Sequence, residues 1–162
     1  MTGSGGPIRF DRDAAPDDPV PILDADGAME LLRTARRIAI VGASSKPRRA
    51  SNSVMAYLLR QDFECVPVNP HERTVLGQAC YPSLEAAVAG SGGSFDIVDV
   101  FRRPEFVPDI ARAAVASGCG ALWLQQRVIS WEAARIAHEA GLPVVMDRCS
   151  AVEHRHLRAL SA

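Results

Sequence analysis

Short apolar runs alternate along the chain with stretches whose apolar residues recur at helical spacing. Arg37-Ile38-Ala39-Ile40-Val41 is a run that stops at Gly42, and Phe63 to Val68 is a second that stops at Asn69-Pro70. Phe95 to Phe101, Ala121 to Gln125, and Pro143 to Met146 or Asp147 are three more. None alternates strictly between apolar and polar, which is the mark of strands covered on both faces, as in a parallel sheet. Between them, Val54, Met55, Leu58 and Leu59 form one face of a helix over about Ser51–Arg60. Ser83 is placed to cap a short helix running to Val88, and Val107, Ile110, Ala111 and Ala114 mark another, with Pro104 near its start. Ala133, Ile136, Ala137 and Ala140 define a further helix, with Ser130 placed to cap it and Gly141 to end it. A helix over about Ala25–Thr34 precedes the first strand, and a short one is expected after the last.

Strand and helix taking turns in this way predict an α/β fold: a Rossmann-like three-layer sandwich around a parallel five-stranded sheet, with an extra N-terminal helix. Residues 1–21, rich in Gly, Pro and Asp, read as a flexible tail, and 22–162 as a single domain. The tail has no apolar core and does not read as a secretory signal.

Composition narrows the function classes. The chain has 162 residues, 48% of them hydrophobic and 23% charged, with a net charge of −1. It has no general attraction to nucleic acid or to an anionic membrane, so an anion site must come from local clustering. No apolar run reaches the roughly 18–20 residues of a membrane span. Cys65, Cys80, Cys119 and Cys149 are widely spaced and include no CxxC pair, which argues against a disulfide framework and for a reducing cytoplasm.

In doubly wound folds ligands bind beyond the carboxyl ends of the strands, where the strand order reverses. The loop after the first strand runs Gly42-Ala43-Ser44-Ser45-Lys46-Pro47-Arg48-Arg49-Ala50-Ser51-Asn52-Ser53. Gly42 permits a tight turn, and Ser44, Ser45, Ser51 and Ser53 offer hydroxyls. Lys46, Arg48 and Arg49 offer charge, and the following helix offers free N–H groups. These are the parts of a phosphate cradle, although a basic loop facing solvent has the same composition. The GxGxxG fingerprint of dinucleotide binders is absent, with Ser44 and Pro47 standing where its later glycines fall.

The second strand ends without the ribose-binding acid of NAD enzymes, and no carboxylate occurs before Glu72. That suits a ligand with a phosphorylated ribose. Pro67, Asn69 and Pro70 can form a ledge for adenine, or simply stop the strand. The third strand ends Phe101-Arg102-Arg103, two guanidiniums suited to phosphate, or to pairing with Glu105 or Asp109. On the fourth strand Trp123 and Gln125 share a face; Trp123 reads as core, and Gln125, at the tip, can hydrogen-bond a ligand amide.

The runs VGASSKPRRASNSVMAYLLRQDFECVPVNP, LGQACYPSL, DIVDVFRRPEFVP, ALWLQ and VVMDRCSAVEH, in that order, resemble the small bacterial CoA-binding domain proteins. Those are in turn similar to the CoA-binding N-terminal domain of the succinyl-CoA synthetase alpha subunit. The resemblance spans about Arg36 to His156. It implies coenzyme A lying across the strand ends. Gly42, Ser44, Ser45 and Arg49 would hold the pyrophosphate, with Ala43 and Ser53 in the same loop. Pro67, Asn69 and Pro70 would flank the adenosine. Phe101, Arg102 and Arg103 would border the phosphate and pantetheine path, with Gln125 near the pantetheine arm. The family usually carries Gly where this chain has Arg127; the larger side chain would narrow the pantetheine channel or add a phosphate contact.

Asp147, Arg148, Cys149, Glu153, His154 and His156 also invite attention. Their spacing matches no usual zinc pattern. A structural role, with Asp147 and Arg148 paired and Glu153 or His154 capping or orienting the last helix, explains them better than a Cys–His nucleophile, whose hydrogen-bond geometry no sequence shows. His71 and His138 read as surface residues. The expected function is binding of CoA or acyl-CoA without catalysis, with an acyl-CoA-using enzyme as a candidate partner. The alternatives are an NADP-dependent oxidoreductase and an interaction protein with a vestigial nucleotide pocket.

Overall fold

The computed structural model describes residues 15–161. Its elements in chain order are α1 (Ala25–Thr34), β1 (Arg37–Val41), α2 (Ala50–Arg60), β2 (Glu64–Val68), β3 (Thr74–Val75), β4 (Gln78–Ala79), α3 (Leu84–Gly90), β5 (Ile97–Val100), α4 (Val107–Ala116), β6 (Leu122–Leu124), α5 (Trp131–Glu139), β7 (Val144–Val145) and α6 (Ser150–Leu160). Five strands form a parallel sheet in the order β2-β1-β5-β6-β7, and β3 and β4 make a separate hairpin. This is the Rossmann-like α/β sandwich that the alternation predicts.

The period of two within each strand sorts side chains to two cores. Val41, Val68, Val100, Leu122 and Leu124 face α3, α4 and α5. Ile38, Ile40, Cys65, Ile97 and Trp123 face α1, α2 and α6. Trp123 is fully buried and donates its indole N–H to the Arg148 carbonyl at 2.8 Å, so it is core, as expected.

The helix signals act as predicted. Ser83 accepts from the Ala86 amide and Ser130 from the Ala133 amide, and Gly141 leaves α5 at φ +82°. Asp24 caps α1 through the Gly27 amide. Residues 1–14 of the expected tail lie outside the described residues, while Val20 is buried and the Leu23 amide donates to the carbonyl of Val144 on the edge strand at 2.8 Å.

Two features differ from expectation. The β3–β4 hairpin is not announced by strands of two residues each. The last helix is not short: α6 runs for 11 residues. Its polar appearance conceals a buried side, because Glu153 and His154 sit inside with Ala151 and Leu157.

The chain leaves β1 for β2 on one side and then crosses to β5 on the other. Beyond the carboxyl ends of β1 and β5 the loops therefore part and leave a crevice. Gly42 lines its floor at φ +88°, and a Cβ there would stand 2.7 Å from the Phe101 carbonyl oxygen. The two strand-end loops touch at this point because residue 42 has no side chain.

Candidate functional site

A cleft of about 960 Å³ opens at this switch point. Its walls come from the loops after β1, β2, β5 and β6 and from the start of α6. Of the residues that the sequence singles out, Gly42, Ser44, Arg49, Asn69, Pro70, Phe101, Arg102, Arg103 and Gln125 line it together. Arg49, Arg102 and Arg103, far apart in the chain, thus share one cavity. Ala50 and Ser51, in the uncapped first turn of α2, line it too, presenting the positive end of that helix.

Four of the expected residues lie off the lining. Ala43 is fully buried, and its carbonyl accepts from the Asn69 side-chain amide at 2.7 Å. It positions the β2 loop. Pro67 is buried within β2. Ser53 turns its hydroxyl to the Ala50 carbonyl. Ser45 gives its hydroxyl, at 2.8 Å, and its amide, at 3.2 Å, to one carboxylate oxygen of Glu72. Those bonds from Ser45 hold the Glu72 carboxyl below the usual carboxylate range, with a smaller contribution from Lys46.

The cleft also contains residues outside that set: Lys46, His71, Glu72, Gln126, Arg127, Val128 and Cys149. All but Cys149 lie in loops directly after strands. Lys46 and Arg127 are already singled out in the sequence, as cradle charge and as a residue at the pantetheine channel, while His71, Glu72, Gln126 and Val128 carry no signal for the site beyond their place after strand ends. The cationic residues of the lining are Lys46, Arg49, Arg102, Arg103 and Arg127, against the single carboxylate of Glu72. Elsewhere Arg33 pairs with Glu30, Arg37 with Glu64, Arg112 with Asp109 and Arg148 with Glu153, while Arg36, Arg60 and Arg73 are exposed and, like the cleft arginines, form no ion pair among the described residues. Neither Arg102 nor Arg103 pairs with Glu105 or Asp109 among the described residues; Arg102 instead lies over the Phe106 ring at 4.3 Å.

Gln125 is buried, and its amide nitrogen is committed inward. It donates to Asp99 Oδ1 at 2.6 Å and to Ser150 Oγ at 2.7 Å, while Ser150 donates to Asp99 Oδ2 at 2.7 Å. The side chain is therefore oriented by the protein, not by a ligand. Burial pushes the Asp99 carboxyl up to about 7, against the opposing effect of its bonds to Gln125 and Ser150.

At the far wall Arg127 has φ +70° and Asp147 φ +58°, and the Arg127 amide donates to Asp147 Oδ1 at 2.7 Å. Asp147 therefore does not pair with Arg148. Left-handed backbone at a non-glycine residue costs on the order of 1 kcal/mol. The expected orienting role of Glu153 and His154 takes a specific form. His154 Nδ1 meets the Tyr57 hydroxyl at 2.8 Å, and burial holds its ring below the ordinary histidine value. Glu153 reaches Arg148 at 3.5 Å. Neither caps α6, whose N-cap is Cys149 without a side-chain bond. No group of three or more metal-ligating side chains occurs among the described residues.

Comparison with known proteins agrees with this architecture. Residues 36–155 match the model of the CoA binding domain. The Bacillus subtilis (strain 168) protein YneT is 36% identical over 125 residues, covering 77% of this chain and 90% of YneT. A solved structure from Pyrococcus horikoshii OT3 superposes with a TM-score of 0.78 at 36% identity, covering 90% of this chain and 99% of that one. Another, from Thermus thermophilus, has a TM-score of 0.75 at 34% identity, covering 83% and 99% of the two chains. A cationic cleft at the switch point of a Rossmann-like sheet, in a chain matched along most of its length, leads to one assignment: the chain belongs to the CoA binding domain family.

Proposed function

We propose that this protein binds coenzyme A, or an acyl-CoA, in the switch-point cleft and performs no reaction on it. The observation that carries the reading is the convergence of Arg49, Arg102 and Arg103 on one cavity beside the open start of α2. Three phosphate groups distributed over a nucleotide ask for several separated cations, and guanidiniums supply them with fixed geometry. In this reading the adenosine lies toward Asn69 and Pro70, the phosphates lie between the β1 loop and the two arginines after β5, and the pantetheine arm runs over Gln125.

The absence of turnover is inferred from what surrounds Cys149. It lines the cleft, but among the described residues it has no hydrogen bond to a histidine or other base. His154, the buried imidazole nearest in sequence, is held by Tyr57. All four cysteines are free thiols and no helix among the described residues is long and apolar enough to cross a membrane, which suits the proposed cytoplasmic setting. There the protein would store CoA or present it to an enzyme that uses acyl-CoA.

Isothermal titration with CoA tests the reading. Saturable binding at micromolar or lower Kd is expected, weakening at least tenfold in Arg102→Ala and in Arg103→Ala, as loss of a charged hydrogen bond of about 1.5–3 kcal/mol implies. Mass spectrometry of ligands that copurify with the protein should find CoA. No heat with CoA or acetyl-CoA, or tighter binding of NADPH than of CoA, would overturn it.

A further inference from the structure

We infer that the β6 end of the cleft is a receptor for a carboxylate, with Arg127 as its cation, so that the protein selects CoA thioesters whose acyl group carries a negative charge. The inference rests on the CoA-binding reading above.

Strand order supplies the first step. Asn69, Pro70 and His71 follow β2, at one edge of the sheet, while Gln125 to Val128 follow β6, and Cys149 lies between β7 and α6. These two groups are the opposite ends of one cleft, and the β1 loop and the arginines after β5 lie between them. A ligand with adenine at the β2 end and phosphates in the middle brings its thiol end to the β6 wall. There it meets Arg127, Val128 and Cys149.

Arg127 itself supplies the second step. Its backbone is left-handed, a conformation that glycine adopts without strain, and the Asp147 carboxylate holds it there through the Arg127 amide. Asp147 meets Arg127 through the backbone amide alone, and no ion pair joins its carboxylate to the guanidinium among the described residues. Among the described residues no carboxylate pairs with that guanidinium, although Arg148, the residue after Asp147, is matched by Glu153. A strained position thus carries a large cation, unpartnered and exposed, on the wall of a cavity. The phosphate-binding region already has Lys46, Arg49, Arg102 and Arg103. The cation at the far end therefore meets what that end of the ligand brings, and a carboxylate is the group that a guanidinium fork receives in bidentate fashion.

The test compares acetyl-CoA and butyryl-CoA with malonyl-CoA and succinyl-CoA by titration calorimetry, at low and at physiological salt. The readout is the ratio of affinities for charged over neutral thioesters. The wild-type ratio should exceed about fivefold and decline with salt. Arg127→Gly should bring it close to one, and Arg127→Lys should retain part of it. Folding does not confound the comparison, since glycine relieves the strain and should raise Tm.

A wild-type ratio near one overturns the inference, and so does a ratio that Arg127→Gly leaves intact. If Arg127→Gly weakens every CoA form equally, Arg127 is a phosphate contact and the carboxylate assignment is wrong. If it strengthens binding of butyryl-CoA most, Arg127 only narrows the channel, which is equally fatal. Binding of charged and neutral thioesters with equal affinity defeats this inference alone. Failure of the wild type to bind any CoA form defeats the underlying reading with it.

Discussion

The Phe101 carbonyl oxygen stands 2.7 Å from the point where a side chain on Gly42 would begin. The β1 and β5 loops are therefore in backbone contact at the floor of the cleft. Gly42→Ala must push them apart and must also hold φ +88° with a side chain. A destabilisation of about 2 kcal/mol or more is expected from the clash and the backbone strain together. Denaturant unfolding measures it, and CoA affinity should fall in the same variant because both phosphate-facing loops shift.

Glu72 occupies the amide and hydroxyl of Ser45, two donors in the loop that is proposed to cradle phosphate. It is also the one carboxylate on the cleft wall. Glu72→Gln should tighten CoA binding about threefold to tenfold by removing like-charge repulsion and loosening the hold on Ser45. Weaker binding in this variant would mean that Glu72 orders the loop and that ordering outweighs repulsion.

Asp99 makes folding depend on pH with a predictable sign. Its carboxyl is near 3.8 in the unfolded chain and is pushed up to about 7 in the fold. Between those values the folded state keeps a proton that the unfolded state has released, so stability falls as pH rises from about 4 to about 7. Asp99→Asn should flatten that part of the Tm profile. His154 acts in the other direction: its folded value lies below the ordinary 6.5, so its contribution is present above about 6.5 and is lost as the pH falls through the lower value. Tyr57→Phe removes the partner of His154 and should lower stability by about 1 kcal/mol.

Arg37 holds together the rim away from the cleft. Its guanidinium donates to the carbonyls of Ser91, Gly93 and Ser94 and to the Ser91 hydroxyl, all at 2.7–2.8 Å, and it pairs with Glu64 at 3.0 Å. It also lies 4.7 Å from the centre of the Phe95 ring. Arg37→Ala should cost about 2–4 kcal/mol by urea unfolding. Arg37→Lys should recover less than half, because an ammonium cannot reproduce the planar fork.

The contrast between what sequence reveals and what it hides follows from the range of the interactions. The five strands are legible because each is apolar on both faces, and the helices because their caps and spacing are local. The length of α6 is hidden, since the burial of its polar Glu153 and His154 depends on Arg148 and Tyr57 being brought to them by the fold. The β3–β4 hairpin is hidden because its strands are too short to show alternation. At the site, the rule that ligands lie beyond strand ends brings Arg49, Arg102 and Arg103 into one cleft. It does not reveal that Glu72 occupies Ser45, or that Asp99, 26 residues away, turns the amide nitrogen of Gln125 inward. Those contacts depend on which loops become neighbours, and no local pattern encodes that.

The guanidinium network on Arg37 and the cationic cleft sit at opposite ends of the same strands, about 13 Å apart for a strand of four to five residues. Substitutions that far apart and without shared partners add independently. Robustness and ligand preference are therefore separable in this scaffold. Tightening the turn at Ser91–Ser94 would raise the melting temperature and leave the ligand spectrum alone, and the loops above can be exchanged for other specificities while the lower rim keeps the sheet intact.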